Sequence, residues 1–221
     1  MNVIAILVLK DFMVELRRKE TVASMMMFGL LVVVIFSFAF EPSGVEPARV
    51  APGILWVALT FAGIIGLNRS LAIDLDNDAL QGLLLAPISR GSLYVGKVLS
   101  NFLFMLMADA VIFPLFIVFN RIDVDARLGW VILIGLLGTF GFATVGTILS
   151  AISANTRMRE VMLPVLQIPL ALPMIISAVG ATSLVMLEEG DGFWSGVNMV
   201  IGFDIIYFVI SYLVFDYVVE E

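Results

Sequence analysis

Six stretches of the chain are almost uninterrupted runs of apolar residues: 22–40, 50–69, 98–119, 129–153, 161–187 and 194–218. Crossing the hydrocarbon core of a bilayer takes roughly 20 helical residues, and each run supplies about that number or more. The pattern predicts an all-α integral membrane protein with six transmembrane helices forming one domain over residues 1–221. Between the runs the polar segments are short, the longest being the link 70–97. No independent soluble domain fits in such links. A self-contained ATPase, kinase or dehydrogenase is excluded, and any energy source must come from a partner.

Before the first span, Ala5, Leu9, Phe12, Met13 and Leu16 recur at helical spacing, with Lys10, Asp11, Glu15, Arg17, Arg18 and Lys19 interleaved. That alternation predicts an amphipathic helix over 1–21 lying in the membrane interface. The same helix offers Phe12, Met13, Leu16, Arg17 and Arg18 as a docking surface for a cytoplasmic protein. The first apolar run is too long for a signal-peptide core and has no small-residue cleavage site, so it is expected to stay as a helix.

Composition agrees with the pattern. Hydrophobic residues make up 61% and charged residues 14%, against about 45–50% and 25% in a soluble domain. The mean hydropathy is +1.09. There are no cysteines and no histidines, which removes disulfides, thiolate chemistry and histidine-ligated metals from this chain. The net charge of −7 is less informative than where the cations lie. With the N-terminus inside, Lys10, Arg17, Arg18, Lys19, Arg69, Arg90, Lys97, Arg157 and Arg159 are cytoplasmic, and only Arg49, Arg121 and Arg127 are outside. This asymmetry follows the positive-inside rule and places both termini in the cytoplasm.

The fifth span contains Pro164, Pro169 and Pro173. Each proline removes a helix hydrogen bond, so this segment is expected to be kinked or partly re-entrant, and buried in protein rather than facing lipid. Small residues recur four apart in the second span (Ala58, Ala62, Gly66, Ser70) and the fourth (Thr139, Ala143, Thr147, Ala151). Packing within the chain is the favoured reading of both stripes, with a dimer seam as the alternative.

Three further features bear on chemistry. In the link 70–97, Asp74, Asp76 and Asp78 form an acidic lead-in. Asp78 is placed to cap a short helix that Pro87 stops, and Ser89 to cap the next. A partner gripping such a short helix would move both flanking spans. The run Gly91 to Val98 matches phosphate-loop spacing except at Val98, which has no hydroxyl for magnesium, and no strand precedes it. Lys97 is therefore read as an anchor reaching the cytoplasmic headgroups. Finally, Asp109 and Asp204 fall near the middles of the third and sixth spans, where a carboxylate costs at least about 2.5–3.5 kcal/mol. Both are expected to face the bundle interior, either as a polar lining or proton step or as neutral, hydrogen-bonded acids.

The segment Ala51-Pro-Gly-Ile-Leu-Trp-Val57, the link residues Asp74-Leu-Asp and Leu80-Gln-Gly-Leu-Leu-Leu-Ala-Pro87, Gly96-Lys97, Leu163-Pro164 and Ile168-Pro169-Leu-Ala-Leu-Pro173 resemble the haem exporter protein B family, the permeases of the cytochrome c maturation system. The link alone is similar to type-2 ABC exporter permeases in general. The resemblance implies a non-enzymatic, multi-pass permease of the bacterial inner membrane. It implies as partners a cytoplasmic ABC ATPase, a haem-handling membrane protein, a small single-span subunit and a periplasmic haem chaperone. ATP hydrolysis in the partner would drive haem export or release of the loaded chaperone. It further implies that Asp74, Asp76, Asp78, Leu80, Gln81, Gly82, Leu83, Pro87 and Lys97 form the ATPase-coupling loop. Lacking His and Cys, with its methionines in apolar runs, the chain is expected to hold no haem or other cofactor itself, and no nucleic acid. A permease of another type-2 exporter, moving a drug, lipid or polysaccharide, is the alternative; a passive membrane scaffold is the third reading.

Overall fold

The computed structural model describes residues 3–41, 44, 46–76, 82, 88–154, 156, 158–187 and 192–220. Among them there are seven α-helices: α1 (Val3–Arg18), α2 (Glu20–Phe40), α3 (Pro47–Asp76), α4 (Arg90–Phe119), α5 (Leu128–Ala154), α6 (Arg159–Met186) and α7 (Phe193–Glu220). Six of them, all but α1, are long and apolar enough to cross a membrane. The all-α membrane fold is thus as the hydrophobic pattern requires.

Two helices overshoot their apolar runs. α3 continues past residue 69 to Asp76, and α4 begins at Arg90 rather than 98. Ser89 sets that start, its hydroxyl accepting the Ser92 N–H at 3.2 Å. At about 1.5 Å per residue each 30-residue helix is about 45 Å long, well beyond the roughly 30 Å hydrocarbon core.

The spans run alternately up and down. Arg69 of α3 pairs with Glu20 at the start of α2, and Arg90 of α4 donates to the Asp216 carbonyl near the end of α7 at 3.1 Å. These contacts gather both terminal helices at one end. At the opposite end Arg121, just after α4, pairs with Glu41, just after α2, at 3.4 Å.

α3 and α5 form the centre: 67% and 72% of their most apolar stretches are buried, against 22–33% in the other spans. They run in the same direction and interlock by setting a large side chain of one against a glycine of the other. Trp56 sits on Gly138, Phe142 on Gly63 and Leu67 on Gly146, each so close that a Cβ on the glycine would overlap it. The small-residue stripe of α3 receives α2 in the same way, with Met25 against Gly66. Ala58, Ala62, Thr139, Ala143 and Thr147 are all buried inside the chain. Without a hydrophobic driving force between helices in lipid, this close approach is what holds the bundle together.

α6 departs from expectation. It is one continuous helix through all three prolines, hence a full span and not a re-entrant segment. Pro169 and Pro173 are exposed and Pro164 half-buried, so they are not buried within this chain. A proline ring offers no donor, and its apolar surface is well matched to acyl chains. A carbonyl beside the backbone defect gains a donor from outside the helix. The Tyr207 hydroxyl of α7 donates to the Leu170 carbonyl at 2.5 Å, one residue from the carbonyl that Pro173 deprives of its helical donor.

Candidate functional site

At the end carrying the termini, Asp74 and Asp76 fall on the last turn of α3. Of the short helix expected in the link, Gly82 is helical and exposed. Asp78, Leu80, Gln81, Leu83 and Pro87 lie outside the described residues, as do the side chains of Asp74 and Asp76.

Lys97 is covered by α1 rather than extended outward. It is 8% exposed, and its Nζ donates to Asp11 Oδ2 of α1 at 3.0 Å. Lys10 adds a second ion pair to Asp11 at 2.9 Å. Burial by itself raises the Asp11 pKa, but the two ammonium groups outweigh it and hold the carboxyl below its ordinary value. One turn earlier, Leu7 packs on Gly96. Lys97 therefore clamps α1 onto α4 because α1 covers it; the snorkelling expected from the sequence assumed that nothing did. The phosphate-loop spacing is also settled here, since Gly91 to Val98 is helical and cannot wrap a phosphate.

The docking residues of α1 divide. Met13 and Arg17 are exposed and Phe12 is half-buried; the side chains of Leu16 and Arg18 are outside the described residues.

Within the span region, the buried polar groups form a seam around α5. Thr139 Oγ1 donates to Asp109 Oδ2 at 2.9 Å. Asn101 Nδ2 donates to Thr147 Oγ1 at 3.0 Å, Gln167 Nε2 to the Phe142 carbonyl at 3.2 Å, and Trp56 Nε1 to Thr182 Oγ1 at 3.1 Å. Together these bonds tie α4 and α6 to α5, and α3 to α6. Such bonds in lipid are each worth about 0.6–2 kcal/mol.

The two intramembrane carboxyls differ. Asp109 has Thr139 and a cavity of about 10 Å³, room for roughly one water, bounded also by Trp56, Thr60 and Met105. Asp204 is 5% exposed and lies against Gly141 and Met174. Neither of its oxygens has a hydrogen-bond partner among the described residues. Both carboxyls face the interior, as their cost in lipid requires. Asn101, Gln167 and the Trp56–Thr182 bond were not singled out from the sequence; a lone amide inside an apolar run was the available signal.

The opposite end opens into two clefts on either side of Asn120 and Arg121. One, of ≈ 460 Å³, lies between Phe38, Val50 and Phe119; the other, of ≈ 330 Å³, between Ile122, Val131 and Met186. Arg121 turns the chain there in a left-handed conformation, φ 51°, while Asn120 caps α4 through the Phe116 carbonyl at 3.0 Å.

The family model described as CcmB protein matches residues 1–220. The chain is similar to heme exporter protein B of Rhodobacter capsulatus, with 32% identity over 149 residues, 67% of this chain and 68% of the relative. The corresponding protein of Pseudomonas aeruginosa is 27% identical over 181 residues, covering 81% and 80%. That of Paracoccus denitrificans is 27% identical over 170 residues, covering 77% and 78%.

Proposed function

The chain belongs to the CcmB protein family, and on that premise we propose that it is the permease of an ABC-type haem exporter serving c-type cytochrome biogenesis. It is a multi-pass protein of the bacterial inner membrane. The observation that carries the reading is the family match over residues 1–220. In this reading the end with both termini is cytoplasmic, as the distribution of Lys and Arg favours.

A separate ATPase grips the cytoplasmic overhang of α3 and α4 together with the exposed side of α1. The geometry supports transmission along the bundle. α3 is a stiff rod of 30 residues, so displacement at Asp76 is carried to Trp56 near its other end. From Trp56 it passes to α5 through Gly138 and to α6 through Thr182. The outer clefts lie where α2, α4 and α6 end and α5 begins, so they change shape when these helices shift.

Axial ligation of haem is assigned to a partner, since the chain has no His or Cys and its Met residues lie in apolar runs that packing accounts for. The cavity at Asp109, about 10 Å³, leaves no room for haem beside that carboxyl within the span region. Both points favour a permease that passes ATP-driven motion to a haem-bearing membrane partner, with the small single-span subunit alongside, to free a loaded periplasmic chaperone. The test is co-purification with mass spectrometry. An ABC ATPase and a haem-handling membrane protein should be recovered with the tagged chain. Recovery of an ATPase with a regulator or enzyme of drug or polysaccharide export would overturn the reading.

A further inference from the structure

Where α1 ends and α2 begins, the two helices and the flank of α4 enclose a groove of ≈ 260 Å³. Its walls are apolar: Phe12, Val22, Ala23, Met26 and, from α4, Met107. Two ionisable residues line it, Glu15 and Lys19. Glu15 is engaged elsewhere. Its carboxylate is buried and accepts the Val22 N–H at 2.9 Å, capping the first turn of α2.

Lys19 is different. It is the joint between the helices, exposed, with φ 55°, and it has no ion pair to any described residue. A left-handed lysine is uncommon. Here it lets the chain turn from α1 into α2, and it leaves the exposed Lys19 side chain bordering an apolar slot. The positive end of the α2 dipole points to the same place.

We propose that this groove seats one anionic phospholipid of the cytoplasmic leaflet, its phosphate on Lys19 and one acyl chain along Val22, Met26 and Met107. The depth is right for such a ligand. α1 exposes Val3, Ile6, Leu9 and Met13, the face of a helix lying at the boundary of headgroups and acyl chains. The slot beneath its end therefore opens just inside that boundary. The chemistry is right as well, since an apolar wall with a cation at its mouth matches an acyl chain ending in a phosphate. A lipid carrying its own ammonium would bring a like charge towards Lys19. The placement in the cytoplasmic leaflet rests on the orientation proposed above, which cysteine labelling tests separately.

The experiment is native mass spectrometry of the full chain purified in detergent and loaded with phosphatidylglycerol or phosphatidylcholine of the same acyl chains. One phosphatidylglycerol should be retained per chain in preference to phosphatidylcholine. Lys19→Asn keeps a residue tolerant of left-handed backbone while removing the charge; it should weaken retention about fivefold. Ala23→Trp fills the slot with Lys19 intact and should abolish retention. Equal retention of both lipids, or retention unchanged in both variants, overturns the proposal. So does a dimer in the wild type that Ala23→Trp disrupts, which would make a second copy of the chain the occupant.

Discussion

Lys97 Nζ and Asp11 Oδ2 lie 3.0 Å apart across 86 positions of the chain, both side chains nearly covered at 10% and 11% exposure. Removing Asp11 takes a charge-assisted hydrogen bond and the α1 carboxylate away from a buried ammonium. Asp11→Ala should therefore loosen α1 from α4 at a cost of about 1.5–3 kcal/mol. Limited proteolysis within residues 3–18 should accelerate while the six spans stay protected. The double variant Asp11→Leu with Lys97→Met should recover much of the loss, because two apolar side chains replace the pair.

The same pair fixes a pH dependence. The folded Asp11 carboxyl has a pKa below its ordinary value, so the folded state binds its proton less readily than the unfolded chain does. Its stabilisation is fully present above the ordinary carboxylate range. It is lost as the pH falls through the folded value. Docking of α1 should be constant from about pH 8 to pH 5 and should weaken only below about pH 4. Protection of residues 3–18 from hydrogen exchange, followed across that range, is the measurement.

Trp56 and Gly138 test the central interlock. Gly138→Leu drives a side chain into the indole ring and should lower the melting temperature by an amount equivalent to about 1–3 kcal/mol or more. Adding Trp56→Ala should restore part of it, since the space vacated is the space demanded. Failure of the second substitution to help would show that the two helices do not meet there.

Asp109 and Asp204 should respond differently to the same change. Asp204 has no hydrogen-bond partner among the described residues, so Asp204→Val removes a buried polar group that none of them satisfies and should be neutral or stabilising. Asp109→Val deprives Thr139 of its acceptor and should cost about 1 kcal/mol. Thermal unfolding in one detergent, compared side by side, decides it.

The absence of native cysteine makes orientation directly measurable. A single cysteine replacing Asp123, which is exposed close to Arg121, should react with an impermeant thiol reagent from the periplasmic side of intact cells. One replacing Thr156, between α5 and α6, should react only after the membrane is opened. The reverse pattern would invert the molecule.

The number of spans, their order and their class were legible in the chain, because a bilayer demands about 20 apolar residues in a row and nothing else does. The Ser89 cap was legible for an equally local reason: a hydroxyl acts on a backbone group three residues away. The four-residue stripes announced close packing. Which helix filled them required the fold, since a glycine at 138 says only that something large approaches, and Trp56 comes from 82 positions away. Lys97 shows the limit most clearly. From sequence it is a cation near a helix end, and the headgroups are its nearest polar destination. Only the return of α1 across α4 puts Asp11 against it and takes it out of solvent. The prolines of α6 illustrate the converse: each lacks a donor for a purely local reason, but the outside donor that approaches the segment, Tyr207, sits 37 residues away from the Leu170 carbonyl it reaches. Local chemistry and membrane thickness act over one or two turns or one apolar run and can be read along the chain. The partners of buried charges and defects are chosen by which helices become neighbours, and tertiary packing decides that.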